Sequence, residues 1–301
     1  MDWKNKIEEK YQNWGQDPET YLAGLYYSKP ITYWDYIEVD TLLTLQKPRT
    51  HFPDEFIFIG YHQVTEIVLR LAIHELQQLV QSEDVAIYEI KLPRIIRYLD
   101  LLISSFTVMN QGMDYDQYNQ FRLALAPASG FQSAQFRYFE LYCTDLEQLI
   151  HEDVRKNIPS NITIEEMFEY VYWQAAGKDF ATGKKSLTLS LFEQKYLKSF
   201  IELAYQNRSI NLHQKLIHFQ KHNQLTDHLK SLFRSLDRKF NIEWPMVHLQ
   251  AAHTYLGSGK EKKAATGGSH WEKYLHPKYQ RRIFFPELYT EEELKNWGTE
   301  S

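Results

Sequence analysis

The stretch DEFIFIGYHQVTEIVLRLAIHELQQLV, residues 54–80, decides the fold class of this chain. Its apolar residues recur at spacings that place them on one face of a helix: Phe56, Ile59, Ile67, Leu71 and Leu76. A β-strand would instead alternate apolar and polar residues with a period of two, and the sequence contains no convincing alternation of that kind. The stretch therefore predicts a long helix that begins at Asp54 and ends near Val80.

The same helical spacing recurs on both sides of this stretch. Thr163 and Glu166 form the pattern of a capping box, which opens a helix. Pro245 lies inside the last helical run, where it predicts a kink or a restart because proline removes a backbone hydrogen bond. The other predicted helices cover residues 41–46, 91–108, 115–126, 133–151, 163–176, 187–207, 212–222 and 225–257, with a break at 127–130. The predicted class is all-α, a helical bundle.

The chain shows no internal repeat, low-complexity tract or linker rich in proline and serine, which favours a single domain. Residues 1–40 are aromatic but sparsely apolar, so they predict an N-terminal arm that contacts a partner surface rather than a core. Residues 41–301 then form the helical domain.

Composition excludes several classes of function. The chain has 301 residues, 43% hydrophobic, and a formal net charge of -5, which argues against a nucleic-acid-binding surface. Its single cysteine, Cys143, excludes an intrachain disulfide and a multi-thiolate metal site, and it fits a reducing compartment. The polar N-terminus predicts no secretory signal, and no apolar run reaches the length of a membrane span. We therefore expect a cytoplasmic protein without membrane contact.

Twelve histidines raise the question of a metal site. His218 and His222 stand one helical turn apart, but polar residues surround them, so the sequence favours a solvated helix face. The same polar surroundings predict surface positions for His151, His213, His228 and His276. The sequence contains no H-E-x-x-H motif, which argues against a zinc hydrolase.

His248 stands out because it lies between Val247 and Leu249 on a mainly apolar helix. A histidine on such a face is commonly a hydrogen-bonded core residue, and a metal ligand is the alternative. Beyond Gly257 the sequence reaches Thr266-Gly267-Gly268, where glycines let backbone amides approach an anionic ligand closely. An ordinary turn explains that short motif equally well.

Two further polar residues lie in apolar surroundings. His62 occurs within FIFIGYHQVTEI, and Glu66, one turn later, could orient its imidazole. Arg122 occurs within YNQFRLALAPASGFQS, and a buried arginine needs an anionic partner. Its planar fork suits a substrate carboxylate, whereas pairing with a local acid such as Asp114 or Asp116 is the structural alternative.

Taken in order, these segments resemble tryptophan 2,3-dioxygenases. The resemblance runs from about residue 31 to residue 289, most of the chain. It is carried by TYWDYIEVDTLLTLQ, PDEFIFIGYHQVTEI, YNQFRLALAPASGFQSAQFRYFE, WPMVHLQAAHTYLG, ATGGS and FFPELY. Each motif is modest, and their order makes a chance match improbable. The resemblance implies an all-helical heme protein that assembles as a homotetramer.

On the heme side, the resemblance implies that His248 is the axial ligand of the iron of heme b. Ser129 and Gly130 match the loop on the opposite, distal face of the heme. His62 matches the distal histidine, a catalytic residue that receives the indole N–H group. Residues 41–301 are thereby implied to form the heme-binding catalytic domain.

On the substrate side, the resemblance implies that the ligand is L-tryptophan or a close indole amino acid. Phe58 matches the wall beside the indole ring, and Tyr118 and Arg122 match the contacts to the substrate carboxylate. Thr266 matches the residue that touches the ammonium and carboxylate groups. Tyr33 and Tyr36 match aromatic residues that the arm lends to a neighbouring subunit.

The activity implied is that of an oxidoreductase of tryptophan catabolism, in the kynurenine pathway. Such an enzyme adds both atoms of O2, its co-substrate, across the indole C2=C3 bond and releases N-formylkynurenine. The iron supplies the oxygen chemistry, and the protein supplies ligation, orientation and exclusion of water.

The sequence departs from the family pattern at several positions. Trp244-Pro245 stands where the family has Trp-Arg, and His253 replaces an arginine. Ile67-Val68 replaces Leu-Trp, Ala265 replaces a glycine, and the loop over residues 257–266 is about four residues longer. Two alternatives therefore stay open. One is a specialised relative that oxygenates a substituted tryptophan or inserts one oxygen atom in secondary metabolism, and the other is a non-catalytic heme-binding helical protein.

Overall fold

Helices dominate the backbone of this protein. The computed structural model describes residues 2–125, 130–159, 161–178, 182–257 and 275–299. Within these ranges the only pairing of extended backbone consists of two isolated bridges, Ile150 with Val171 and Lys178 with Lys185. The predicted all-α class is confirmed.

The chain divides into two units at Lys47 and Pro48. The first unit contains the arm predicted over residues 1–40, and it has no buried residue among those described. Asp2, Asp17 and Thr32 cap its first three helices by accepting hydrogen bonds from backbone amides. The helices are α1 (Trp3–Asn13), α2 (Pro18–Tyr27), α3 (Tyr33–Tyr36) and α4 (Val39–Leu42), the last at the short helix predicted for 41–46.

The second unit carries the hydrophobic core. Its helices are α5 (Asp54–Val80), α6 (Val85–Ser105), α7 (Thr107–Gln111), α8 (Tyr115–Phe121), α9 (Ala134–Cys143), α10 (Glu152–Arg155), α11 (Ile164–Met167), α12 (Leu187–Asn207), α13 (Leu212–Lys221), α14 (Asp227–Arg238), α15 (Trp244–Ala252), α16 (Pro277–Gln280) and α17 (Glu291–Lys295). Helix α5 packs against α6 and α9, and α14 packs against α6. The predicted helix from Asp54 to Val80 is confirmed at both ends.

Two predicted helices end earlier than the sequence indicates. The capping box of Thr163 and Glu166 is present, but α11 ends at Met167 because Val171 is extended and bridges to Ile150. Helix α9 ends at Cys143 because Thr144 is extended, and its hydroxyl donates to the Phe284 carbonyl over 3.0 Å. In both cases a contact with a distant segment overrides the local helical pattern.

The helical run around Pro245 restarts as predicted. Helix α14 leads into a π-helical turn, Lys239–Glu243, and Pro245 then lies in the first turn of α15. Proline is tolerated there because its missing N–H group lacks a partner at a helix start in any case. A second π-helical turn, His253–Gly257, follows α15. Single π turns are frequently found at functional sites, which draws attention to the helix between them.

A buried charged network lies beside the core. The carboxylate of Glu140 accepts hydrogen bonds from Arg137 (2.8 Å), Arg282 (3.2 Å) and the hydroxyl of Tyr172 (2.6 Å). All four side chains are buried, so these bonds replace the hydration that each charge loses. The network joins α9 to the 3-10 turn Tyr172–Gly177 and to the segment after α16.

One sequence prediction about the histidines is wrong. His213 was expected at the surface because its sequence neighbours are polar, but its side chain is buried. Its two ring nitrogens lie 3.0 Å from Asp145 and 2.9 Å from Glu287. These carboxylates outweigh burial and raise the pKa of His213 to about 9. Neither acid is near His213 in sequence, so the polar residues around His213 in the sequence could not predict its burial.

Among the described residues, one helix, α5, is long and apolar enough to cross a membrane by length and composition alone. Its second half is buried in the core, where Glu75 pairs with Lys91 over 2.6 Å. Its outer face exposes a stripe of apolar side chains: Phe56, Val64, Ile67 and Leu71.

Candidate active site

Three helical elements carry most of the described site residues of the second unit. Helix α5 carries Phe58 and His62, and these two stand four residues apart and therefore share one helix face. Tyr118 lies on α8, and Arg122 begins the 3-10 turn that continues it. Helix α15 carries His248.

The N-terminal ends of α5 and α8 are bonded directly to each other. The backbone N–H group of Asp54 donates to the side-chain oxygen of Gln117 over 3.3 Å. The backbone N–H group of Asp114 donates to the carboxylate of Asp54 over 2.5 Å. These reciprocal bonds satisfy amides at two helix starts and fix the distance between the helix of His62 and the helix of Tyr118.

The protonation of His62 follows from its neighbours. Its Nδ1 atom lies 2.8 Å from the carbonyl oxygen of Phe58, and a carbonyl can only accept, so Nδ1 carries the proton. Burial lowers the pKa of the imidazole, which is therefore neutral at pH 7. Its Nε2 atom is then a hydrogen-bond acceptor. The expected orienting contact from Glu66 is replaced by this backbone carbonyl.

The His248 imidazole is surrounded by protein but open to solvent. Burial, and to a lesser extent the proximity of the His62 imidazole, lowers the pKa of His248 to about 4, so its imidazole is also neutral at pH 7. Both side chains are nevertheless exposed to solvent, and we call the open, protein-lined space beside the two imidazoles the cleft. No residue of the described ranges hydrogen-bonds to the His248 imidazole. This geometry favours the ligand over the alternative of a satisfied core histidine.

Aromatic rings wall this cleft. The Phe58 ring lies 4.1 Å from that of His62, 5.7 Å from Phe121 and 6.2 Å from Tyr118. Phe106, at the end of α6, lies 5.4 Å from the His248 ring. Such rings give an apolar surface that suits a flat ligand.

Gly130 approaches His248 from the segment before α9. A Cβ atom at residue 130 would lie 3.8 Å from Cε1 of His248, in ordinary van der Waals contact. Any larger side chain would therefore fill the space beside the imidazole.

Ser129 and Thr266 lie outside the described residues, as does the longer loop that precedes Thr266. Tyr33 and Tyr36 belong to the first unit, where they are 74% and 75% exposed. Arg122 is half-buried.

The donor set fits a heme iron better than a metal held by protein alone. Among the described residues, no group of three or more His, Cys, Asp or Glu side chains could hold a metal ion. A porphyrin supplies the equatorial ligands itself and needs only an axial one from the protein. His248 offers a neutral imidazole, which is the form that binds iron, in an aromatic cleft.

Sequence reasoning missed two residues that border this site. Tyr255 was interpreted only as part of the apolar stripe of the last helix, although it stands seven residues after His248 and thus near the same face. Asn119, next to Tyr118, carried no signal. Both are bonded to residues distant in sequence, which local patterns do not reveal.

Comparison with known proteins agrees with this geometry. A family profile described as Tryptophan 2,3-dioxygenase matches residues 23–172, about half of the chain. A tryptophan 2,3-dioxygenase of Herpetosiphon aurantiacus is 29% identical, over 87% of this chain and 97% of the relative. One of Pseudomonas fluorescens is 24% identical over 93% and 96%. One of Ruegeria pomeroyi is 37% identical over 41% and 46%. The chain is therefore an enzyme of the tryptophan 2,3-dioxygenase family.

Proposed function

We propose that this enzyme is a heme-dependent dioxygenase that opens the indole C2=C3 bond of L-tryptophan with O2 and releases N-formylkynurenine. The observation that carries the proposal is the arrangement of two imidazoles, His62 and His248, among the rings of Phe58 and Phe106. The Nδ1–H group of His62 donates to the Phe58 carbonyl, which leaves Nε2 as the acceptor atom. The His248 imidazole makes no hydrogen bond with the described residues. Family membership supports tryptophan as the substrate.

The proposed roles follow from the chemistry of each side chain. His248 is the axial ligand of heme b, and the bound iron supplies the activation of dioxygen. His62 accepts the indole N–H group at Nε2, which holds the ring in one orientation without removing the proton. Phe58 covers a face of the indole ring. Gly130 is proposed to contact the flat cofactor, as the resemblance implies.

The amino-acid end of the substrate needs polar partners. Arg122 and Tyr118 are proposed to bind the carboxylate, with Thr266 at the ammonium and carboxylate groups and Ser129 on the distal loop. A substrate held at both ends has little choice of pose, which is the main contribution of a protein to such a reaction. The family supports a place in tryptophan catabolism, whereas a cytoplasmic location stays a prediction.

Turnover under isotopic oxygen tests the proposed function. The heme-loaded enzyme would be reduced without air, mixed with L-tryptophan and exposed to ¹⁸O2, and the product analysed by mass spectrometry. We expect N-formylkynurenine carrying two labelled atoms. One labelled atom, or turnover only with a substituted tryptophan, would identify a specialised relative. Absence of any product would identify a heme-binding protein without turnover.

Arg122→Ala is expected to weaken the binding of L-tryptophan about 10- to 100-fold, because it removes a charge-assisted contact to the carboxylate. Tryptamine lacks that carboxylate, so its affinity should change less than about threefold. Arg122→Lys is the matched variant, because it keeps the charge but loses the bidentate fork. Isothermal titration of both ligands measures the effect. Equal losses for both would indicate a structural arginine.

We further propose that the partner of this chain is a second copy, in a homotetramer. The support is exposed apolar surface: the α5 stripe of Phe56, Val64, Ile67 and Leu71, and the aromatic side chains of the first unit. Contiguous apolar surface of this kind marks a contact with another protein. Tyr33 and Tyr36 are proposed to complete the pocket of a neighbouring subunit.

Mixed oligomers test the shared pocket. A Tyr33→Ala/Tyr36→Ala double variant and His248→Ala should each be nearly inactive alone. When the two variants are co-expressed, the intact arm of a His248→Ala subunit should complete the pocket of a double-variant subunit, which still has His248. We expect recovery of about a quarter to a half of the wild-type activity, and light scattering should report a tetramer. A fully active monomer would contradict both proposals.

A further inference from the structure

Tyr255 connects the helix of His248 to the helix that carries Tyr118. It lies in the π-helical turn His253–Gly257 and is 3% exposed. Its ring centroid lies 4.5 Å from that of Tyr118, at an interplanar angle of 42°. Its hydroxyl donates a hydrogen bond to the carbonyl oxygen of Met113 over 3.2 Å, just before α8 begins. The two ends of this side chain therefore touch both the start and the middle of α8.

The backbone of the π turn is tied to α8 as well. The side-chain amide of Asn119 donates to the Tyr255 carbonyl over 3.4 Å and to the Tyr115 carbonyl over 2.9 Å. The rings of Tyr115 and Tyr255 are nearly parallel at 6.5 Å. Tyr255 thus makes contacts along one side of α8. The bonds of Asp54 with Gln117 and Asp114, described above, join α8 to α5 instead.

The position of Tyr255 relative to His248 is equally defined. Tyr255 follows His248 by seven residues, in the π-helical turn that directly continues α15. The backbone between the two residues is helical throughout. The phenol of Tyr255 stays protonated at neutral pH, since burial raises its pKa, and so it remains a donor.

We infer that Tyr255 is a positioning residue that holds Tyr118, and the carboxylate-binding end of α8, at a fixed distance from the helix of His248. The inference rests on the proposed function, in which Tyr118 binds the substrate carboxylate and His248 binds the heme. It deepens that function by naming a source of specificity. The site selects an indole ligand whose carboxylate lies at the set distance from the ring.

Two variants of Tyr255 separate its hydroxyl from its ring. Tyr255→Phe removes the bond to Met113 and should weaken L-tryptophan binding about fivefold. Tyr255→Leu also removes the ring contact with Tyr118, and the loss should reach about tenfold or more. Neither variant should alter tryptamine binding by more than about twofold, because tryptamine makes no carboxylate contact. The preference for tryptophan over tryptamine should therefore fall.

The matched control is Tyr88→Phe. Tyr88 is likewise a fully buried tyrosine that donates to a backbone carbonyl, that of Leu79, over 2.7 Å, but it lies in the core between α5 and α6. Tyr88→Phe should lower the melting temperature as much as Tyr255→Phe does, yet leave the preference for tryptophan over tryptamine unchanged. Titration calorimetry gives both affinities, and the heme spectrum and melting temperature are recorded for each variant.

The outcomes separate this inference from the function on which it rests. A wild-type enzyme that does not prefer tryptophan to tryptamine overturns the proposed function and the inference with it. A wild-type preference that Tyr255→Leu retains in full overturns the inference alone. Equal weakening of both ligands, with a lower melting temperature, likewise overturns it, since that result assigns Tyr255 a purely structural role.

Discussion

His248→Ala is expected to leave the purified protein without the Soret band of histidine-ligated heme b. The imidazole is the one neutral nitrogen ligand proposed for the iron, and alanine offers no replacement. Loss of supporting residues around a metal commonly lowers its affinity by 10- to 100-fold, so loss of the ligand itself should lower heme affinity by more than about 100-fold. The pyridine hemochrome assay, normalised to protein concentration, measures the occupancy.

The second histidine of the cleft provides the control. His62→Ala changes an imidazole in the same cleft, but that ring is bonded to the Phe58 carbonyl and is proposed to face the substrate. It should therefore retain heme and lose tryptophan affinity. Added imidazole should restore a Soret band to His248→Ala by filling the space left by the side chain. Full heme and an unchanged spectrum in His248→Ala would contradict the ligand assignment.

The fold was predictable from the sequence because helical periodicity is a local property. The pattern over residues 54–80 fixes α5 at both ends, and Pro245 marks the restart at α15. The candidate site was predictable in outline because His62 and His248 are polar residues in apolar helical surroundings. The family motifs then gave each a role that periodicity alone leaves open.

What the sequence could not give depends on contacts between distant segments. The tautomer of His62 follows from a carbonyl that only the folded helix presents, not from the more obvious Glu66. His213 is buried because Asp145 and Glu287 meet it in space. The role of Tyr255 rests on a bond to Met113, far away along the chain. A periodic pattern contains none of this information.

Glu140→Ala is expected to lower the free energy of unfolding by about 3–5 kcal/mol, which is the usual consequence of removing one partner from a buried ion pair. Glu140 is fully buried, and its carboxylate is shared by the guanidinium groups of Arg137 and Arg282, each 6% exposed. Alanine leaves two positive charges in the interior with only the hydroxyl of Tyr172 between them. That hydroxyl is neutral at pH 7, because burial, as the largest cause, raises the pKa of Tyr172 to about 12. Urea unfolding followed by circular dichroism measures the change.

Glu75→Ala is the matched control, because Glu75 is also a buried carboxylate shared by two cations. Its partners, Lys91 and Arg94, keep 14% and 46% of their side chains exposed, so water can hydrate them once the carboxylate is gone. Its loss should therefore cost about 1 kcal/mol. Glu140→Gln should fall between the two, since it accepts hydrogen bonds without the charge.

The Glu140 network joins the segment after α16 to α9, so Glu140→Ala should also release that segment to protease well below the global transition. Equal destabilisation by Glu140→Ala and Glu75→Ala would show that burial of the two arginines does not decide the strength of the network.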